Sequence, residues 1–115
     1  MSRTRIDQAV KTVTDLLAAR DYAGMVELSN GVRLTEEELT TAVELYGREI
    51  LALPEEGYAR MDVYELVDPA PPGWTVDVDL WTREEGRSDL TLSLTLVGPS
   101  DEGEIRIEID GLHVL

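Results

Sequence analysis

The sequence predicts an α+β domain in which N-terminal helices pack on one face of a curved, four-to-five-stranded antiparallel sheet. Three observations carry this expectation. The spacing of apolar residues has a helical period of about 3.6 up to residue 53 and a strand period of about 2 beyond residue 60. Between Trp74 and Val97, two alternating runs flank a short charged turn; Val76, Val78, Leu80 and Leu90, Leu92, Leu94, Leu96 fall on one side, and Thr75, Asp77, Asp79 and Thr91, Ser93, Thr95 on the other. That pattern marks a β-hairpin with one buried face. Helices first and strands afterwards place the helices together against an antiparallel sheet. At 115 residues the chain fits a single domain, with a helical half at about 4–53 and a sheet half at about 60–115.

Ile6, Ala9, Val10, Val13, Leu16 and Leu17 recur at three- and four-residue spacing, so a first helix is predicted over Arg5–Arg20. A short second helix follows from Asp21, a good N-cap, to the stop signal Asn30-Gly31, although Gly24 weakens it. Val32-Arg33-Leu34 reads as a brief strand. Thr35 and Glu38 have the spacing of a capping box, and Glu36, Glu37 and Glu38 suit the positive end of a helix dipole. The stripe Leu39, Ala42, Val43, Tyr46, Ile50, Leu53 then predicts a third helix to about residue 52, closed by Pro54. Strands are predicted at 60–67, 74–82, 88–98 and 104–110. The turns Asp68–Gly73 and Gly98–Gly103 separate them, and Gly111 bends the last strand before His113.

The formal net charge is −14, and the sheet half carries most of it: residues 1–57 have net −5 and residues 58–115 net −9. Such a field repels phosphates and anionic lipid, which argues against nucleic acid or a membrane as partner and leaves a basic protein as the natural one. Acidity for solubility alone is the plainer explanation, and nine Arg beside one Lys fit base composition or a salty habitat. The absence of cysteine removes disulfides, thiolate nucleophiles and Cys-type zinc sites. Apolar runs are only a few residues long, and the N-terminus leads into an amphipathic pattern rather than a signal peptide, so the cytoplasm is the expected location.

The order α-α-(short β)-α-β-β-β-β resembles the nuclear-transport-factor-2-like cone fold, which implies a curved sheet wrapped around helices and a pocket at the open end. The segment Trp81-Thr-Arg-Glu-Glu-Gly-Arg-Ser-Asp-Leu90 is similar to one found in a family of small uncharacterised bacterial domains, a likeness that implies a fold and no activity.

Asp77 and Asp79 are two apart on one strand, so their carboxylates project from the same face roughly 7 Å apart. Paired acids and hard-metal sites use such a separation, but a solvated sheet face also uses it, and no Asp-x-Asp-x-Asp-Gly loop is present; no metal or cofactor is expected. His113 is the single histidine, without a second one to relay protons and without a nucleophile elbow for Ser88, Ser93 or the threonines. The turn Arg83–Asp89 is richer in charge than a hairpin needs. Turn chemistry and internal ion pairs explain it, and a recognition tip anchored by Trp81 is the functional alternative. Trp81 shares the outward parity of Asp77 and Asp79, which predicts a covered face; Trp74 has the inward parity of a core residue.

These readings lead to a non-enzymatic interaction domain. Its partner-binding surface is expected to comprise Asp77, Asp79, Trp81, Thr91, Arg106 and Glu108 on the outer sheet face, with Thr75, Ser93 and Thr95 beside them and Arg83, Glu84, Glu85 and Arg87 at the turn. The expected partner is a basic protein, as when an immunity-like protein neutralises a toxin, or a second copy of the chain in a homodimer. The alternative is a small-molecule or hydrolase/isomerase-like pocket between helices and concave sheet, with His113, Tyr64 and Asp62 as its polar residues.

Overall fold

A computed structural model describes residues 2–31, 33–67, 72–98 and 104–114. Four helices precede or interrupt a five-stranded antiparallel sheet: α1 (Arg3–Ala18), α2 (Tyr22–Leu28), α3 (Glu36–Tyr46), β1 (Ile50–Leu51), α4 (Glu55–Ala59), β2 (Asp62–Glu65), β3 (Gly73–Thr82), β4 (Gly86–Val97) and β5 (Arg106–Val114). The caps at Asp21 and Thr35 follow the sequence signals, and α1 starts two residues before its predicted Arg5 with a further cap at Ser2. Ser2 Oγ accepts the Arg5 N–H at the start of α1, and Asp21 accepts the Gly24 N–H at the start of α2. At α3, Thr35 and Glu38 close the capping box reciprocally, each side chain 3.1 Å from the other's backbone nitrogen.

The third helix is shorter than its apolar stripe predicts. Gly47 adopts φ +72° and its N–H returns to the Val43 carbonyl, which ends the helix in a left-handed cap. Ile50 and Leu53 are still buried, but from β1 and the connection after it, so their spacing mimicked a helical stripe that the backbone had already left. Pro54 then starts α4, an element absent from the sequence reading. The brief strand expected at Val32–Leu34 is not seen at Arg33 or Leu34, which lie in irregular backbone, and Val32 is outside the described residues. The two predicted turns fall largely outside them as well, at 68–71 and 99–103.

Strand order is β1-β3-β4-β5, with β2 also bonded to β3. Thus β1 and β2 share one edge of β3: β2 lies along Trp74–Asp77, β1 along Trp81–Thr82, and α4 bridges them. The β3–β4 ladder runs from Gly73↔Val97 to Thr82↔Gly86, with an irregularity between Asp79 and Trp81. In β4–β5 the register shifts between Ser93 and Leu94, which leaves Asp110 as the extra residue of a bulge.

The helices cover the inner face. Val10, Val13 and Leu17 of α1, Met25 of α2 and Leu39 of α3 meet Val76, Val78, Leu80, Leu92, Leu94, Leu96 and Ile109, all essentially without solvent exposure. Alternation along β3 and β4 therefore does what the sequence pattern demands, and Trp74 packs half-buried against the same core.

Candidate functional site

On the opposite face the alternating polar residues line up in cross-strand rows. Asp62, Asp77, Ser93 and Gly111 form one row; Asp79, Thr91 and His113 form the next; Tyr64, Thr75, Thr95 and Glu108 form a third. Each central carboxylate receives a hydroxyl. Ser93 Oγ donates to Asp77 at 2.7 Å, Thr91 Oγ1 to Asp79 at 3.3 Å, and Thr95 Oγ1 to Asp110 at 2.6 Å. Asp62 stands beside Asp77 as its register partner, so three carboxylates crowd the β2–β3 side of this face.

The β5 side of the face is neutralised instead. Arg33, held at φ +75°, reaches Glu108 Oε1 with Nε and Nη2 at 3.2 and 3.1 Å, and its Nε also lies 2.7 Å from Asp110 Oδ1. Asp110 Oδ1 is the oxygen closer to Nε, but the N–H is aligned on Glu108, which leaves Asp110 Oδ1 in an ion pair without a directional hydrogen bond. Arg106 adds a 3.3 Å pair to Glu108 Oε2.

The charged turn is bound to its own chain. Arg83 pairs with Glu49 at 3.1 Å and its N–H meets the Glu49 carbonyl at 2.9 Å; Glu84 accepts the Glu49 N–H at 2.9 Å. Glu85 accepts the Tyr46 hydroxyl at 2.8 Å and the Ser88 hydroxyl at 3.2 Å, with Arg48 3.6 Å away. The Tyr46 and Ser88 hydroxyls are also within bonding reach of each other, so their two protons are shared over three contacts with Glu85 as common acceptor, and Ser88 accepts the Leu90 N–H. Accordingly the Glu49 N–H holds the Glu84 carboxyl below its ordinary value. The Ser88 bond favours ionisation of Tyr46, but desolvation and the Glu85 carboxylate outweigh it and raise the phenol. Gly86 supplies the positive φ of the tip, and Arg87 and Asp89 stay exposed.

Trp81 has part of its cover within the chain. Its ring packs half-buried against the core and lies so near Gly57 that a Cβ there would be 3.2 Å from Cζ3 and 2.4 Å from Leu53 Cδ1, which is why α4 carries glycine at that point. Sequence reasoning missed this cover because α4 was not foreseen; the signal available was Gly57 itself, a small residue three positions after Pro54.

His113, Tyr64 and Asp62 are all exposed, and the structure does not bring them together. Tyr64 and Asp62 stand on β2 and His113 on β5, with β3 and β4 between, a separation of roughly 14 Å or more at ordinary strand spacing. The interior between helices and sheet is filled by apolar side chains. A cleft of about 700 Å3 opens instead at the rim between α1, α2 and the start of β5, where Arg5, Gln8, Thr12, Asn30 and Glu104 line it. Among the described residues no group of three metal-ligating side chains converges, and no helix is long and apolar enough to cross a membrane.

Comparison with curated proteins and with solved structures returns no match. A domain family does match, from residue 14 within α1 to residue 115, so the match takes in the whole sheet and most of the core while Ile6, Ala9, Val10 and Val13 precede it. The chain belongs to that family, DUF7668, a domain of unknown function.

Proposed function

We propose that this chain is a non-enzymatic protein-interaction domain that receives a basic partner on the β2–β3 side of its outer sheet face, as an immunity-like protein receives a toxin. The observation that carries this reading is the placement of Asp62, Asp77 and Asp79 side by side, Asp77 and Asp79 each bonded to a hydroxyl and none of the three paired with a cation among the described residues, while Glu108 and Asp110 across the sheet are matched by Arg33 and Arg106. The unbalanced half of the face is the half that attracts a cationic surface. Arg83, Glu84 and Glu85 are engaged with residues 46–49, so in this reading the aspartates bind and the turn keeps the hairpin in place. We also read the helix-on-sheet arrangement as nuclear-transport-factor-2-like, a view supported by its element order, and propose the cytoplasm as its location.

The test is affinity capture from native-host lysate with wild type beside Asp77→Lys/Asp79→Lys, at low and high salt, read by mass spectrometry. A stoichiometric basic protein held by wild type, and lost both in salt and in the variant, supports the reading. Equal capture by the two proteins removes the assigned face. Sedimentation of the purified chain separates a homodimer on this face from a heterologous partner.

A further inference from the structure

Beyond the outer face, and independent of it, the free edge of β5 offers a second surface. Arg106–Val114 pairs with β4 alone, and no backbone hydrogen bond from any described residue reaches its far side. Every second residue of an antiparallel strand turns its N–H and C=O away from its partner, so this edge displays unpaired donors and acceptors. Over Glu108 and Asp110 the side chain of Arg33 wraps past the edge to the outer face, which leaves Gly111–Val114 as the open stretch.

Alongside that stretch lies α3. A groove of about 470 Å3 separates the two, lined by Leu34, Ala42, Leu45 and Leu112, with the exposed carboxylates of Glu37 and Glu38 on the helix side. Leu45 is 82% exposed and Val114, on the same side of the strand as Leu112, is 58% exposed. Large apolar side chains left in water beside a bare strand edge form the two halves of a strand-addition site: the edge supplies main-chain hydrogen bonds and the groove receives alternate side chains.

We propose that the α3–β5 groove binds an extended segment of a partner protein, aliphatic at alternate positions and carrying Lys or Arg between them, as an added strand. The charge follows from the surroundings. Glu37 and Glu38 flank the groove, no Lys or Arg lines it among the described residues, Arg33 beside Leu34 is already paired with Glu108 and Asp110, and the whole chain has net charge −14. A second copy of the chain brings the same net charge with it, so repulsion disfavours self-pairing at this edge.

The experiment titrates the full isotope-labelled chain with the synthetic heptapeptide Lys-Val-Lys-Val-Lys-Val-Lys and follows backbone amides by NMR. The proposal expects shifts concentrated at Gly111–Val114 and Thr41–Leu45. Methylating alternate peptide nitrogens, which removes strand pairing and keeps charge, should weaken binding by about tenfold or more, and Leu45→Ser should do the same through lost apolar contact. Leu45 is exposed, so the dispersion of the variant's spectrum verifies an unchanged fold. Absence of shifts overturns the proposal. So does equal binding of the methylated peptide, which means charge attraction alone, or a shift pattern confined to Thr75–Asp79, which assigns the peptide to the outer face. Concentration-dependent self-association that moves the β5 and α3 amides without peptide also overturns it, because the occupant is then a second copy.

Discussion

Along β3, β1 and β2 take up one edge and α4 fills the space between them, whereas β5 leaves Gly111–Val114 bare beside an apolar groove. The contrast extends to the side chains. At the closed edge Trp81, Leu53 and Gly57 interlock and the 83–88 turn is tied to residues 46–49; at the open edge Leu45 and Val114 stand in water. A dense run of charge and aromatic residues thus marks the place where the chain holds itself together, and a few scattered aliphatic residues, Leu34, Leu45, Leu112 and Val114, mark a place where it does not.

Substitutions at the two edges should differ accordingly, and the largest effect belongs to the closed one. Trp81→Ala removes a half-buried ring shared by β3 and α4 and should cost roughly 3 kcal/mol, read as a lower urea midpoint at unchanged slope. Gly57→Ala forces a methyl to within 2.4 Å of Leu53 Cδ1 and should cost about 2 kcal/mol by overpacking; a neutral result in the same assay means that α4 slides without loss. Tyr46→Phe takes the donor from Glu85 and the hydroxyl partner from Ser88, with an expected loss of about 1 kcal/mol and faster amide exchange across Arg83–Arg87.

A smaller effect is expected from acid. Because the folded carboxyl of Glu84 is lowered relative to its ordinary value of 4.5, its contribution is present above that value and disappears as pH falls through the folded one. NMR titration of the Glu84 carboxyl should show a midpoint below its ordinary value of 4.5, and Glu84→Gln should erase that part of the pH dependence. At the open edge, Leu45→Ser should change stability by no more than about 0.5 kcal/mol. A loss comparable to that of Trp81→Ala would mean that Leu45 is already covered in solution, and the comparison of edges would fail.

The strands from Trp74 to Val97 and the capping box at Thr35 were legible in the sequence, because alternation and cap chemistry are local and both neighbours of each residue report on it. The α3–β1 region was not. Ile50 and Leu53 continue a helical stripe, and only Gly47 signals that the backbone has turned; whether a glycine ends a helix depends on what waits beyond it, here an edge of β3 some thirty residues later. The candidate surface was half legible. Alternation placed Asp77 and Asp79 on the outer face, but their hydroxyl partners follow from a register fixed across strands. The pairing of Arg33 with Glu108 joins residues far apart in sequence, and no spacing rule encodes it.

The sharing of β3 by β1 and β2 also sets the order in which the molecule can be made. Neither strand bonds to the other, so the described residues from Arg3 to Glu65 contain four helices and two strands and not one strand pair. During synthesis at about 5–20 residues per second, β1 and β2 emerge before the strand that pairs with them, and the apolar stripe of α1 gains its sheet-side cover only when Val76, Val78 and Leu80 arrive. A chain stopped short of β3 is therefore expected to leave that stripe uncovered, and the sheet side of the core is complete only once β5 has brought Ile107 and Ile109.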